Sequence, residues 1–146
     1  MKITHKGDYA LKAILDLALH YHEGLVTIPA IASRIDAPTK FLEQILLELK
    51  KGGFIESRRG KVGGYLLSRP PQNITLGEVV RFVDGPLEPI ACVNKKYTAC
   101  GDLYKCAFRP IWQKVFKLTS DVVDHITFAD LADQVESVKK APTYSI

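Results

Sequence analysis

The stretch TKFLEQILLELKKGGFIESRRGKVGGYLL, residues 39–67, decides the fold. Its first part places Leu42, Ile45, Leu46 and Leu49 at i, i+3, i+4 and i+7, the apolar stripe of an amphipathic helix. The opposite face at the start of that helix carries Thr39, Lys40, Glu43 and Gln44, and Gly52-Gly53 stops it. Two short extended runs follow, Phe54–Ser57 and Tyr65–Leu67. Arg58-Arg59-Gly60-Lys61-Val62-Gly63-Gly64 lies between them, so the pair reads as a hairpin with a glycine-rich, basic tip.

Two helices precede this unit. Leu11, Ile14, Leu15 and Ala18 recur at helical spacing within Asp8–Tyr21, and Glu23-Gly24 ends the run. Thr27 can cap a second helix with Pro29 in its first turn and Ile28, Ile31, Ala32 and Ile35 as its stripe. Asp36-Ala37-Pro38 then breaks the chain. Three helices followed by a basic hairpin is the order of a winged helix-turn-helix. In that fold the second helix of the pair enters the major groove. The candidate reading residues are therefore Thr39, Lys40, Glu43 and Gln44, with Glu43 able to accept from a cytosine amine. Arg58, Arg59 and Lys61 of the wing are placed to meet phosphates or the minor groove.

Charge placement agrees with a nucleic-acid partner. The net charge is +4, and residues 1–75 hold 11 Lys and Arg against 7 Asp and Glu, while the remainder holds 9 of each. Lys50, Lys51, Arg58, Arg59, Lys61 and Arg69 face a single acid, Glu56, in the densest basic stretch. Such a stretch is either the footprint of double-stranded DNA or a solvated basic surface.

Beyond the hairpin, Thr75-Leu76-Gly77-Glu78 is a capping box that starts a fourth helix through about Val83, ended by Gly85-Pro86. Pro110 opens a fifth helix to about Asp124, where Ile111, Val115, Leu118 and Val122 recur at steps of four, three and four. That heptad-like stripe suits a partner helix or the chain's own domain equally. Thr127–Val135 reads as one more short helix, and residues 139–146 as a flexible tail. With 146 residues, 47% apolar and 25% charged, the chain has the size of one domain. No run reaches the length of a membrane span and the start lacks a signal peptide, so a cytoplasmic home is expected.

The three cysteines of the chain, Cys92, Cys100 and Cys106, fall within fifteen residues of polar, glycine-containing sequence. An odd number argues against a closed disulfide framework. Three thiols on one loop can instead converge on a soft metal centre, for which iron–sulfur, zinc and copper(I) are the choices. The alternative is a redox-active or incidental group of thiols. No Cys-x-x-Cys motif supports a redox enzyme.

The order of parts resembles the IscR/NsrR-type winged-helix regulators of bacteria. The residues that carry the likeness are Ile3-Thr4, Lys6-Gly7-Asp8-Tyr9-Ala10, Phe41-Leu42-Glu43-Gln44, Arg59-Gly60, Gly63-Gly64-Tyr65-Leu66-Leu67 and Ile74-Thr75-Leu76-Gly77-Glu78-Val79. The resemblance implies a mostly α fold with a small β-hairpin wing: a winged helix-turn-helix over residues 1–84, its wing at 54–69, a cysteine-bearing loop over 85–107, and a long dimerisation helix with a C-terminal helix over 108–138. It implies a homodimeric, operator-binding regulator, most simply a repressor and not an enzyme. Ile111, Val115, Leu118 and Val122 would lie in the dimer contact. It further implies an iron–sulfur cluster, 2Fe-2S before 4Fe-4S, held by Cys92, Cys100 and Cys106. Two departures stand out. The seven-residue gap between Cys92 and Cys100 is longer than in the iron–sulfur cluster regulator, and Arg109 stands where that regulator has a histidine. Arginine stays charged and cannot ligate. Nitric-oxide-sensing members point to Asp8 of the partner subunit as the fourth ligand, with His5 a weaker candidate. Asp8 also suits the first turn of a helix without any metal. The same donors can hold zinc, or switch by thiol chemistry alone.

Overall fold

The computed structural model describes residues 1–141. Six α-helices and one antiparallel hairpin follow in the order α1 (His5–Leu19), α2 (Ile28–Ile35), α3 (Thr39–Lys51), β1 (Ile55–Arg58), β2 (Gly64–Leu67), α4 (Leu76–Asp84), α5 (Arg109–Asp124) and α6 (Phe128–Lys140). Short 3-10 turns at Tyr21–Glu23, Pro71–Asn73 and Ala91–Val93 fill connections.

The first helix begins three residues before the expected Asp8. Thr4 caps it, its hydroxyl accepting from the Gly7 amide at 3.0 Å. It ends at Leu19, and Tyr21 belongs to the 3-10 turn that follows. Helix α2 starts as the sequence indicates, with the Thr27 hydroxyl accepting from Ala30 at 3.3 Å and proline in the first turn. It closes on Asp36 in the left-handed region, φ 53°, which a short polar side chain tolerates. The chain thereby turns sharply into α3, whose Leu42, Ile45, Leu46 and Leu49 are all buried.

In the wing the register pairs Ile55 with Leu67 and Arg58 with Gly64. A third short segment joins it. Val26 exchanges two backbone hydrogen bonds with Tyr65, at 2.9 and 2.8 Å. Glycine is required at 64 because a Cβ there would sit 2.5 Å from the Val26 carbonyl oxygen. The capping box of α4 is formed on both sides, Glu78 N to Thr75 Oγ1 at 3.2 Å and Thr75 N to Glu78 Oε2 at 2.9 Å.

The last helix is longer than its apolar pattern suggests. A second capping box, Thr127 with Asp130, starts it, and it runs to Lys140 rather than stopping near Val135. Lys139 and Lys140, assigned from sequence to the flexible tail, are helical; residues 142–146 of that tail lie outside the described residues.

Helix α1 is the centre of the fold and packs on α2, α3, α4 and α6. Its Ala10, Ala13 and Ile14 are fully buried, with Leu17 almost so. Phe128 of α6 enters the same core at 1% exposure. Asp16 is buried within it and paired with Arg34 of α2 by two bonds of 2.7 and 2.9 Å. The chain thus leaves the core through α4, makes its excursion through the cysteine loop and α5, and returns with α6. Val80, Leu87 and Val123 form a small second core at the foot of that excursion. Arg81 locks α4 to the end of α5 by two hydrogen bonds to Asp124, at 2.5 and 2.9 Å. No described helix is long and apolar enough to cross a membrane.

Candidate nucleic-acid interface and cysteine loop

Burial of the apolar stripe of α3 leaves its other face to solvent. Thr39, Lys40, Glu43 and Gln44 are all exposed there, as the sequence pattern anticipates. Leu47, Lys50 and Lys51 continue that exposed face. Arg58, Arg59 and Lys61 are exposed on the wing, and Gly60 takes φ 135° at its tip. Arg58 reaches Glu56 on its own strand at 3.7 Å, a surface pair of little energetic weight. A firmer link was not visible in the sequence: Lys50 Nζ donates to Ser57 Oγ at 2.6 Å and ties the end of α3 to β1. Between α3 and the wing lies a hollow of about 390 Å³, with Lys50, Arg58 and Arg59 among its walls. The wing and the exposed face of α3 therefore form one continuous surface that is mostly polar and basic.

The cysteine loop begins where α4 ends. Leu87, 1% exposed, and Val93, 5% exposed, anchor its first part, and Cys92 sits half-buried on the 3-10 turn between Ala91 and Val93. Cys100 is exposed and Cys106 half-buried, and all three thiols are free. Turns organise the rest of the loop, the Cys106 amide donating to the Asp102 carbonyl at 2.8 Å. Arg109, at the position where the resemblance implies a ligand, has another task. Its Nε donates to the Cys92 carbonyl at 2.9 Å, latching the root of the loop to the start of α5.

Among the described residues no three His, Cys, Asp or Glu side chains are gathered closely enough to hold a metal ion. The donor set nevertheless fits a soft metal. Three unpaired thiols share one accessible loop, and soft thiolates select iron–sulfur centres or zinc. Asp8 lies elsewhere in the chain, in the first turn of α1, half-buried and paired with Lys12 at 2.6 Å. That hydrogen bond holds the Lys12 ammonium above the ordinary lysine range. Thr4, and not Asp8, is the cap of α1. His5 is exposed on the same turn, while His20 and His125 bond backbone carbonyls at helix ends, at 2.8 and 2.6 Å.

Sequence reasoning missed the contacts that hold this site to the rest of the fold. Asp84, the last residue of α4, accepts from the Thr4 amide at 3.1 Å and from its hydroxyl at 2.5 Å. The start of α1 is thus clamped to the start of the cysteine loop. Eighty residues separate the partners, and no local pattern marks them. On α5, Ile111, Val115, Leu118 and Val122 are 55%, 41%, 57% and 59% exposed, so the stripe does not face its own domain.

Comparison with known proteins agrees with this architecture. The Rrf2 family, described as iron-dependent transcriptional regulators, matches residues 3–134. An rrf2-like HTH-type transcriptional regulator of Rhodobacter capsulatus is 38% identical over 136 residues, covering 88% of this chain and 91% of the relative. IscR of Erwinia tasmaniensis is 36% identical, covering 93% and 81%. Among solved structures, CymR, the global cysteine regulator of B. subtilis, has a TM-score of 0.78 at 31% identity, covering 92% of this chain and 98% of that one. T. potens IscR has a TM-score of 0.76 at 32% identity, covering 99% and 95%. These relatives are transcriptional regulators and not enzymes. A winged helix-turn-helix with an exposed recognition helix and a basic wing, matched over nearly its whole length by such proteins, places this chain in the Rrf2 family of DNA-binding transcriptional regulators.

Proposed function

We propose that the chain is a homodimeric, sequence-specific repressor whose DNA binding is modulated by an iron–sulfur cluster that senses iron, redox state or nitric oxide. The observation that carries this reading is the placement of every cysteine on one accessible loop between α4 and α5, in a chain of the Rrf2 family. Cys92, Cys100 and Cys106 would hold the cluster, 2Fe-2S before 4Fe-4S, with Asp8 of the partner subunit as fourth ligand. When bound, the cluster supplies a labile centre that is lost or altered by its signal. The chain's own part is mechanical. The loop is rooted in Leu87 and Val93, latched by Arg109, and joined through Asp84 to the turn of α1 that carries Asp8. A change in loop order would therefore load α1, on which the recognition helix packs. At the DNA, Thr39, Lys40, Glu43 and Gln44 of α3 would enter the major groove, and Arg58, Arg59 and Lys61 would meet the backbone. The apolar stripe on α5 gives the two copies a common contact.

A second reading replaces the cluster by zinc or by thiol chemistry on the same scaffold. The thiols are free and not preassembled into a ligand set, and a solved relative, CymR of Staphylococcus aureus, is known in an oxidised form. Anaerobic purification separates the two. The cluster reading expects a brown protein with visible absorption that any one of Cys92→Ala, Cys100→Ala or Cys106→Ala abolishes, and a faster decay of that absorption in Asp8→Ala. A colourless protein containing stoichiometric zinc, or no metal, refutes it in favour of the second.

A further inference from the structure

The exposed face of α3 contains one residue out of keeping with its neighbours. Leu47 is 51% exposed among Glu43, Gln44, Lys50 and Lys51. A single exposed leucine on an ordinary surface needs no explanation. This one lies seven residues after Lys40. At 3.6 residues per turn that is about 20° from the same line along the helix. Glu43 and Gln44 diverge to either side of that line, so Leu47 occupies the middle of the outward face. Lys40, Glu43, Gln44 and Leu47 thus have the i, i+3, i+4, i+7 spacing with which recognition helices of helix-turn-helix proteins lay side chains against base edges.

The surroundings fix what it can meet. Leu47 borders the hollow between α3 and the wing, whose other walls include Thr27, Pro29, Lys50, Arg58 and Arg59. Lys50 is held in place by Ser57 at 2.6 Å. A phosphate backbone drawn to the cations on the wing side would lie along this edge, with the adjoining base pairs over Leu47. A leucine side chain neither donates nor accepts a hydrogen bond. The apolar group that a base pair presents in the major groove is the C5-methyl of thymine.

We infer that Leu47 is a specificity-determining residue that recognises a thymine methyl in each half-site. The inference rests on α3 being the element that enters the major groove, as proposed above. It is tested with the full chain and a double-stranded operator enriched by that chain from a random-sequence pool. Each thymine is replaced in turn by deoxyuridine, which removes only the methyl group. Wild type is expected to lose about fourfold in affinity at one position per half-site, the worth of one buried methyl-sized group. Leu47→Ala should bind the parent duplex more weakly and show no penalty for deoxyuridine at that position. Its salt dependence should equal that of wild type, because no phosphate contact is removed. Half-exposed Leu47 can be truncated without opening the core, and far-UV circular dichroism checks the fold. An operator that tolerates deoxyuridine everywhere overturns the inference alone, as does a penalty that persists undiminished in Leu47→Ala. Failure to enrich any sequence overturns the placement of α3 in the groove, and this inference with it.

Discussion

Gly7→Ala tests the clamp between α1 and α4. Gly7 is buried in the first turn of α1, and a Cβ there would lie 2.0 Å from Asp84 Oδ2 and 2.8 Å from its Cγ. Asp84 must then withdraw from Thr4, giving up bonds of 3.1 and 2.5 Å to the amide and hydroxyl. A hydrogen bond to a charged group contributes about 1.5–3 kcal/mol. Asp84 is only half-buried, so the low end applies and the two bonds amount to about 3 kcal/mol. Alanine in place of glycine in a helix returns up to about 1 kcal/mol. The expected net loss is about 2 kcal/mol, a fall in melting temperature of roughly 6 °C for a chain of this size.

The decisive measurement is a double-mutant cycle by urea unfolding at one fixed protomer concentration, so that the proposed dimerisation contributes equally to every variant. With Asp84→Ala already in place, the three atoms nearest the new methyl are gone, and Gly7→Ala should stabilise by up to about 1 kcal/mol. A sign reversal between backgrounds is therefore expected. Equal destabilisation in both, or stabilisation of the otherwise wild-type chain, would show that Asp84 is not what keeps alanine out.

Three further outcomes are expected. Leu118→Glu should convert the proposed dimer to monomer in sedimentation at micromolar concentration, because an unpaired charge in an apolar contact is costly, while the exposed position leaves the monomer fold intact; a wild-type monomer, or a variant dimer that persists, refutes the role of α5. Arg59→Ala and Lys61→Ala should each weaken binding to every duplex and reduce the slope of log K against log salt by about 0.9, whereas Glu43→Ala should change which sequences bind. Acid should loosen α5 from α4: Arg81, by its hydrogen bonds, holds the Asp124 carboxyl below its ordinary value of 3.8, so the stabilisation is complete above that pH and disappears as pH falls through the lower folded value. The pair is about 38% exposed on both sides, so the effect is about 1 kcal/mol or less, and Asp124→Asn should remove that pH dependence from the urea midpoint.

What the sequence made legible is what local chemistry encodes. The stripe of α3, the caps at Thr27 and Thr75 and the glycine-rich wing are each settled within a few residues. The stripe and caps stand at their expected places; in the wing β1 is displaced and β2 lengthened by one residue, with Arg58 and Gly64 paired in the ladder instead of lying in the tip. Helix α1 starts before its apolar stripe because Thr4 caps it through Gly7, at an ordinary three-residue capping distance that the stripe does not mark. The length of α6 was underestimated because its second half is polar and is carried by the capping box and the Phe128 anchor rather than by an apolar stripe. The contacts that matter for coupling were not legible at all. Asp84 with Thr4, Arg81 with Asp124 and Arg109 with Cys92 are pairs of charged or polar groups separated by 17 to 80 residues, and no periodicity relates them.

Magnitudes rank the routes from Asp8 to the recognition helix. Lys6 and Tyr9 flank Asp8, and both touch α3, Lys6 through Glu48 at 3.1 Å and Tyr9 by an edge-on contact with Phe41 at 5.7 Å between ring centres. The ion pair is 39% and 46% exposed, which places it among surface pairs worth about 0–1 kcal/mol. The aromatic pair contributes about 0.5–1.5 kcal/mol beyond its buried area and joins the partly buried shell of the main core. It is also directional, since an edge-on pair loses contact when one ring slides. Phe41 lies in the first turn of α3, one residue from Lys40 and two from Glu43, so a displacement of Tyr9 would reach these proposed DNA contacts first. Glu48 lies near the far end, where salt and solvent screen what little it transmits. On the proposed mechanism, a shift of α1 would therefore act on α3 mainly through Phe41. On this arrangement, raising the salt concentration should leave the coupling between loop and operator intact, and Phe41→Leu should weaken it without changing the thiols.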